Sequence, residues 1–224
     1  MKLVHKNIEK HLLLGENRVN VLVVENRKMF LSMIEELKGQ LEGEEGAFVL
    51  SEEGSLLSLS KEAELITDVF SLNLNERTSI NRLLSSLAGY AQKAEMVNKS
   101  RELQNVLSEF LGELLQNEEL PVSYADEINM PNLLKALGVE FENDYDSLCE
   151  KLLVYMKMMS RFFQKKLFVF VNLKTFTDED DLRSFYMSAF YEKFNLLLLE
   201  STEREDLYEA EEVTVIDKDM CEVR

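Results

Sequence analysis

The side chains with the most chemical reach in this sequence are carboxylates that close apolar runs. Asp68 follows Glu64-Leu65-Ile66-Thr67, Glu25 and Asn26 follow the apolar run 21–24, and Glu200 with Ser201 follows four leucines at 196–199. Asn172 ends a fourth run, 167–171. The carboxyl edge of an open α/β sheet is where such folds hold ligands, so Asp68 and Glu25 are candidates for a nucleotide-hydrolysing site. The plainer reading is that a strand leaving a core has to end on polar residues. Nothing here cradles a phosphate: the tightest glycine cluster is Gly39, Gly43 and Gly46, with neither GK[ST] nor GxGxxG. His5 and His11 are the only histidines and cannot build a catalytic triad or a multi-histidine zinc site. Cys149 and Cys221 have no paired spacing, which excludes a disulfide scaffold or a CxxC centre and fits a reducing, cytoplasmic setting.

Two other groups of charged side chains stand out. In the segment 146–164, Leu148, Leu152, Tyr155, Met159 and Phe162 share one helical face, while Lys157, Arg161 and Lys165 recur every four residues on the opposite side, next to Lys166. This is the densest basic stripe in the chain. It is spaced to track a phosphate backbone, and equally to be a solvated helix face. Acidic groups gather at Glu118, Glu119, Asp126 and Glu127, and again at Glu140, Glu142, Asp144 and Asp146. Calcium takes six to eight hard oxygens, often from loops, although no EF-hand spacing is present.

The elements that must position these residues follow from the apolar pattern. The runs 21–24, 167–171 and 196–199 suit strands buried on both faces, 65–67 is a fourth candidate, and 213–216 is β-branched throughout and suits an edge strand. Helical spacing covers 27–42 and 178–193, with Asp178 as N-cap. Strands alternating with helices imply a doubly wound α/β head with a parallel-type sheet. From 78 to 116 two helical stripes, Ile80-Leu84-Leu87-Ala91-Ala94 and Leu103-Leu107-Phe110-Leu114, adjoin around a break expected at 98–100, and a third helix spans about 129–137 before Gly138. The chain thus divides into head 1–72, helical leg 73–138, and head 139–224 with an acidic tail.

Charge and composition set the outer limits. The 224 residues are 46% hydrophobic and 30% charged, as in a globular protein, with a net charge of −17. The first 28 residues carry +3 and the rest −20, so charge is segregated. No apolar run reaches membrane-spanning length, and the first residues lack a signal-peptide core.

Taken in order, Leu65-Ile66-Thr67-Asp68, the block Asn132-Leu133-Leu134-Lys135-Ala136-Leu137-Gly138-Val139, the helix with Leu148-Cys149-Glu150-Lys151, the strand Lys165-Lys166-Leu167-Phe168-Val169-Phe170-Val171-Asn172 and Leu196-Leu197-Leu198-Leu199-Glu200 resemble the small spacer-acquisition protein family of type II-A CRISPR systems. The resemblance covers residues 63–200. It implies a degenerate P-loop-like head without a working phosphate loop, a non-catalytic role in antiviral defence, and a homotetrameric ring whose basic lumen encircles the ends of double-stranded DNA. It also implies supporting calcium ions, and partnership with the CRISPR integrase proteins and the RNA-guided effector nuclease. On that footing the expected DNA contacts are Lys157, Arg161, Lys165 and Lys166 with Arg27, Lys28 and Lys135, and the expected metal ligands are Glu118, Glu119, Asp126 and Glu127. The chain departs from the family at Pro121 and Ser123, neutral where the family carries acids, and at Glu140 and Gln164, where it tends to carry lysine. The alternatives are the hydrolase above and a protein-interaction scaffold that binds no DNA.

Overall fold

Runs with no polar interruption belong where both faces of a strand are covered, and they form the centre of one sheet. The computed structural model describes residues 1–15, 17–204 and 208–223. In chain order the elements are strands β1 (Lys2–Val4), β2 (Leu12–Leu13) and β3 (Val19–Val24), helix α1 (Arg27–Glu42), strands β4 (Val49–Glu52) and β5 (Ser55–Leu57), helix α2 (Leu59–Glu62) and strand β6 (Ala63–Ile66). Helices α3 (Arg77–Ala91), α4 (Val97–Leu114), α5 (Met130–Ala136) and α6 (Leu148–Phe163) follow, then strand β7 (Leu167–Val171), helix α7 (Glu179–Tyr191) and strands β8 (Asn195–Glu200) and β9 (Glu211–Ile216). These fall into two compact units, one built from Met1–Leu72 and the stretch from Asp144 onward, the other from Asn73–Asn143.

The first unit holds a five-stranded, wholly parallel sheet in the order β6-β7-β8-β3-β9. Every residue of β3 and β7 is buried, as the uninterrupted apolar runs require. Residues of alternate parity serve opposite faces. On one face Leu22, Val24, Val169, Val171, Leu197 and Leu199 pack with Met29, Met33 and Leu37 of α1 and with Leu3 and Leu50. On the other, Phe170 meets Phe185 of α7 edge to face at 5.7 Å, and α6 lies against α7 with Leu152 and Met156 fully buried. The expected edge strand at 213–216 is β9, which lies at the edge of the sheet beside β3.

A second sheet, antiparallel in the order β2-β1-β4-β5, adds its Leu3 and Leu50 to the α1 side. Nothing in the pattern announces it, because its strands run two to four residues and alternate only in part.

In the second unit, Leu84 of α3 is buried and α3 packs on α5, while α4 buries no residue at all. The helical break falls at 92–96 rather than 98–100. Gln92, Lys93, Ala94, Glu95 and Met96 are all good helix formers, so propensity gives no sign of it. The turn is closed by a distant bond instead: the Ser100 hydroxyl donates to the Ala91 carbonyl at 2.8 Å, satisfying an acceptor that the end of α3 leaves open. Asn75 and Phe141 exchange two hydrogen bonds, 2.9 and 2.8 Å, that pin the two ends of the unit together.

Candidate nucleic-acid interface

Of the cations expected to act together, all but Lys135 belong to the unit with the parallel sheet, and they divide between its two edges. At the carboxyl edge, β3 passes through Glu25 into α1. Asn26 caps that helix: its Oδ1 accepts from the Lys28 and Met29 amides at 3.1 Å each, and its Nδ2 donates to the Lys218 carbonyl at 2.8 Å. The first turn of α1 carries Arg27 and Lys28, both exposed, and no acid. Positive side chains there add to the positive end of the helix dipole instead of cancelling it. Arg27, Lys218, Glu25, Ser201 and Thr202 line a cleft of about 350 Å³. Neither Arg27 nor Lys28 has an ion-pair partner among the described residues.

The α6 group lies at the amino edge, because α6 feeds directly into the start of β7. Lys157 Nζ sits 2.8 Å from Glu192 Oε1, with its side chain about half exposed. An exposed pair of this kind is worth about 0–1 kcal/mol, so a phosphate can compete for the lysine. Arg161 is exposed, with its guanidinium 5.2 Å from the Phe162 ring centre. Lys166 is exposed, and its Nζ lies 3.1 Å from Glu62 Oε2 without hydrogen-bond alignment. Lys165 does not continue the stripe. The helix ends at Phe163, and Gln164 takes a left-handed φ of 60°, which turns the next residue inward. Lys165 Nζ then donates to the carbonyls of Ser60 and Ala63, both at 2.7 Å, and lies 3.8 Å from Glu64. Burial holds its pKa below the usual lysine value despite the nearby carboxylates. Lys135, on α5 of the other unit, is exposed.

The strand-end carboxylates do not form a pair. Asp68 accepts from the Phe70 amide at 2.9 Å and the Ser71 amide at 3.3 Å, and these bonds, the Phe70 one first, hold its carboxyl below the ordinary range. Its strand β6 lies three places from β3 in the sheet. Three strand spacings put Asp68 and Glu25 about 14 Å apart, too far to act on one phosphoryl group. Glu200 is placed differently again. It is 2% exposed, its Oε1 accepts from the Lys174 amide at 3.1 Å, and burial raises its pKa to about 7. Lys174, on the turn after β7, sends its Nζ 2.7 Å from Glu211 Oε2, and the Tyr186 hydroxyl donates to Glu211 Oε1 at 2.7 Å. Burial, and then Glu211, drive the Tyr186 pKa upward. This enclosed bracket ties the turn after β7 to α7 and to the start of β9. Only Glu200 had a signal in the sequence; Lys174, Tyr186 and Glu211 had none.

Glu118, Glu119, Asp126 and Glu127 are all exposed along one segment, and Glu118 is occupied capping the Leu120 amide at 3.1 Å. Among the described residues no three His, Cys, Asp or Glu side chains come together to hold a metal ion. The hard-oxygen cage that calcium requires is therefore not supplied by these residues within one chain. Cys149 is buried, and its thiol is pushed up to about 11, chiefly by that burial. Among the described residues no helix is long and apolar enough to cross a membrane.

Residues 40–220 match the family described as CRISPR-associated protein (Cas_Csn2). The chain is 25% identical over 137 residues to the CRISPR-associated protein Csn2 of Enterococcus faecalis, an alignment covering 61% of this chain and 62% of that protein. It is 28% identical over 123 residues to the Csn2 of Streptococcus agalactiae, covering 54% and 55%. It thus spans less than two thirds of either relative. A solved structure, a putative ABC transporter ATP-binding protein from Pyrococcus furiosus, aligns over 95% of this chain and 97% of its own with a TM-score of 0.41 and 11% identity, a likeness too slight to build on.

Proposed function

The chain belongs to the Csn2 family of CRISPR-associated proteins, and from that premise we propose that it binds the ends of double-stranded DNA, without regard to sequence and without catalysis, inside a homotetrameric ring that serves spacer acquisition. Its partners on this reading are the CRISPR integrase proteins and the RNA-guided effector nuclease. The observation that carries the proposal is the combination of Arg27 and Lys28, exposed at a helix N-terminus without an ion-pair partner among the described residues, with a net charge of −17. One such subunit repels a polyanion. Several copies arranged about an axis, with those side chains turned inward, concentrate positive potential in one channel while the acidic surface faces away. Arg161 and the displaceable Lys157 and Lys166 form the second cationic set, and Lys135 a third. Lys165 belongs to the scaffold. The separation of Asp68 from Glu25 gives the hydrolase alternative no working pair. Among the described residues no cage for calcium is formed, and no step of the proposal runs through it.

Phosphate contacts release counterions, so affinity should fall steeply and linearly on logarithmic axes as salt rises. The test is fluorescence anisotropy with a blunt linear duplex and a covalently closed circle of the same sequence, titrated from low to high salt. The expected result is a steep salt slope, preference for the linear form, and a shallower slope for Arg27→Glu/Lys28→Glu. Binding that ignores salt, or equal affinity for the circle, overturns the reading.

A further inference from the structure

The cleft at the carboxyl edge holds one group that a merely basic surface has no use for. Its polar lining comes from the ends of three neighbouring strands: Glu25 and Arg27 after β3, Ser201 and Thr202 after β8, and Lys218 after β9. The crevice outside the carboxyl ends of a parallel sheet is where α/β folds take ligands. A volume of about 350 Å³ suits a small one. Hydrogen bonds fix the walls. The Glu25 amide donates to the Ile216 carbonyl at 2.9 Å, the Asn26 side chain to the Lys218 carbonyl at 2.8 Å, and the Ser201 amide to Asn172 Oδ1 at 2.9 Å. Asn26 also occupies the Lys28 and Met29 amides, so recognition falls to side chains rather than to the helix end.

The chemistry of the lining selects the ligand. Arg27 and Lys218 are exposed, and neither has an ion-pair partner among the described residues. Two cations and two hydroxyl donors suit a phosphate. Glu25 does the opposite: a carboxylate accepts from a hydroxyl and repels a second phosphate. A ligand with one phosphate beside a free hydroxyl satisfies both halves. A nucleotide with an unsubstituted 3′-hydroxyl carries the two across a single sugar, and Phe30, also in the lining, offers that sugar an apolar contact. Within a DNA strand the same hydroxyl is esterified, and the next phosphate would lie against Glu25. We propose that the cleft takes the 3′-terminal nucleotide of a DNA strand, with Arg27, Lys218 and the two hydroxyls on its phosphate and Glu25 accepting from its free 3′-hydroxyl. Glu25 is then the residue that tells an end from an interior position. This inference rests on the DNA-end reading above and adds to it the terminus that is recognised.

The test is fluorescence anisotropy of the full chain with two blunt duplexes, identical except that their 3′ ends carry a hydroxyl in one and a phosphate in the other. Circular dichroism confirms that each variant folds. A basic surface alone favours the more highly charged duplex. The expected result is the reverse, a preference of about tenfold for the 3′-hydroxyl duplex. Glu25→Gln should abolish that preference by tightening binding of the 3′-phosphate duplex, and Lys218→Ala should narrow it by weakening binding of the 3′-hydroxyl duplex. Duplexes bound equally, or the 3′-phosphate form bound better, overturn the terminus and leave DNA binding standing. A preference that survives Glu25→Gln overturns the role of Glu25. Thymidine 5′-monophosphate carries the same two groups and should compete only weakly, lacking the other backbone phosphates. If it binds in a manner that Lys218→Ala abolishes while the duplex ends are not distinguished, the cleft belongs to a free nucleotide and the terminus is overturned. Failure to bind either duplex overturns the terminus and the DNA-end reading together.

Discussion

Lys165 and Arg27 show how two cations of equal charge part ways. Lys165 has two carbonyl partners and a nearby carboxylate, so its ammonium completes the join between α2, β6 and β7. Lys165→Met leaves those carbonyls without their donor, and a loss of about 1–3 kcal/mol is expected in urea denaturation, with DNA affinity little changed. Arg27→Glu should do the reverse, leaving stability nearly intact and weakening binding. A linear count of every fourth residue places Lys165 with Arg161, since the count carries no sign that Gln164 reverses its backbone. Arg27 and Lys28, by contrast, are legible as the first turn after a strand. Glu200 makes a residue-scale prediction for pH. Its folded pKa of about 7 lies above its ordinary value of 4.5, so the folded state binds the extra proton between those limits. Stability from this group is present below the lower value and declines as pH rises through the upper one, by about 3 kcal/mol in total. Denaturation series from pH 5 to pH 8 should show that decline, and Glu200→Gln, which keeps an acceptor for the Lys174 amide, should flatten it.

Among the elements, the strands were readable where burial left a single solution. An uninterrupted run of four or five apolar residues bounded by polar ones has few other places to go, and β3, β7 and β8 lie where the runs do. The antiparallel sheet was not readable, because its members are too short for periodicity and are held by pairings across dozens of residues, Leu3 with Leu50 among them. The break between α3 and α4 was displaced for a related reason: a hydroxyl at 100 meeting a carbonyl at 91 is tertiary information. The Lys174–Glu211–Tyr186 bracket escaped notice likewise, its members lying on three separate segments. Asn26 tests the element scale directly. Asn26→Ala removes the α1 cap and the tie to Lys218, and should cost about 1 kcal/mol or somewhat more by thermal or urea unfolding. It should also loosen the placement of Arg27 and Lys28, raising the dissociation constant for duplex DNA although no charge has changed.

For the molecule as a whole, the acidic surplus and the basic first 28 residues describe a protein that depends on arrangement rather than on total charge. The two edges of its sheet present separate sets of cations, so the salt slopes of Arg27→Glu/Lys28→Glu and of Arg161→Glu should differ, and the set with the larger effect is the one facing the duplex. The strand order has a further consequence. β3 lies between β8 and β9, partners whose residues come more than 170 positions later. During synthesis this apolar strand leaves the ribosome long before either neighbour exists. It must be shielded, by a chaperone or by transient collapse, until residue 216 has cleared the exit tunnel, while the Asn73–Asn143 unit, whose contacts are mostly its own, has everything it needs to fold early.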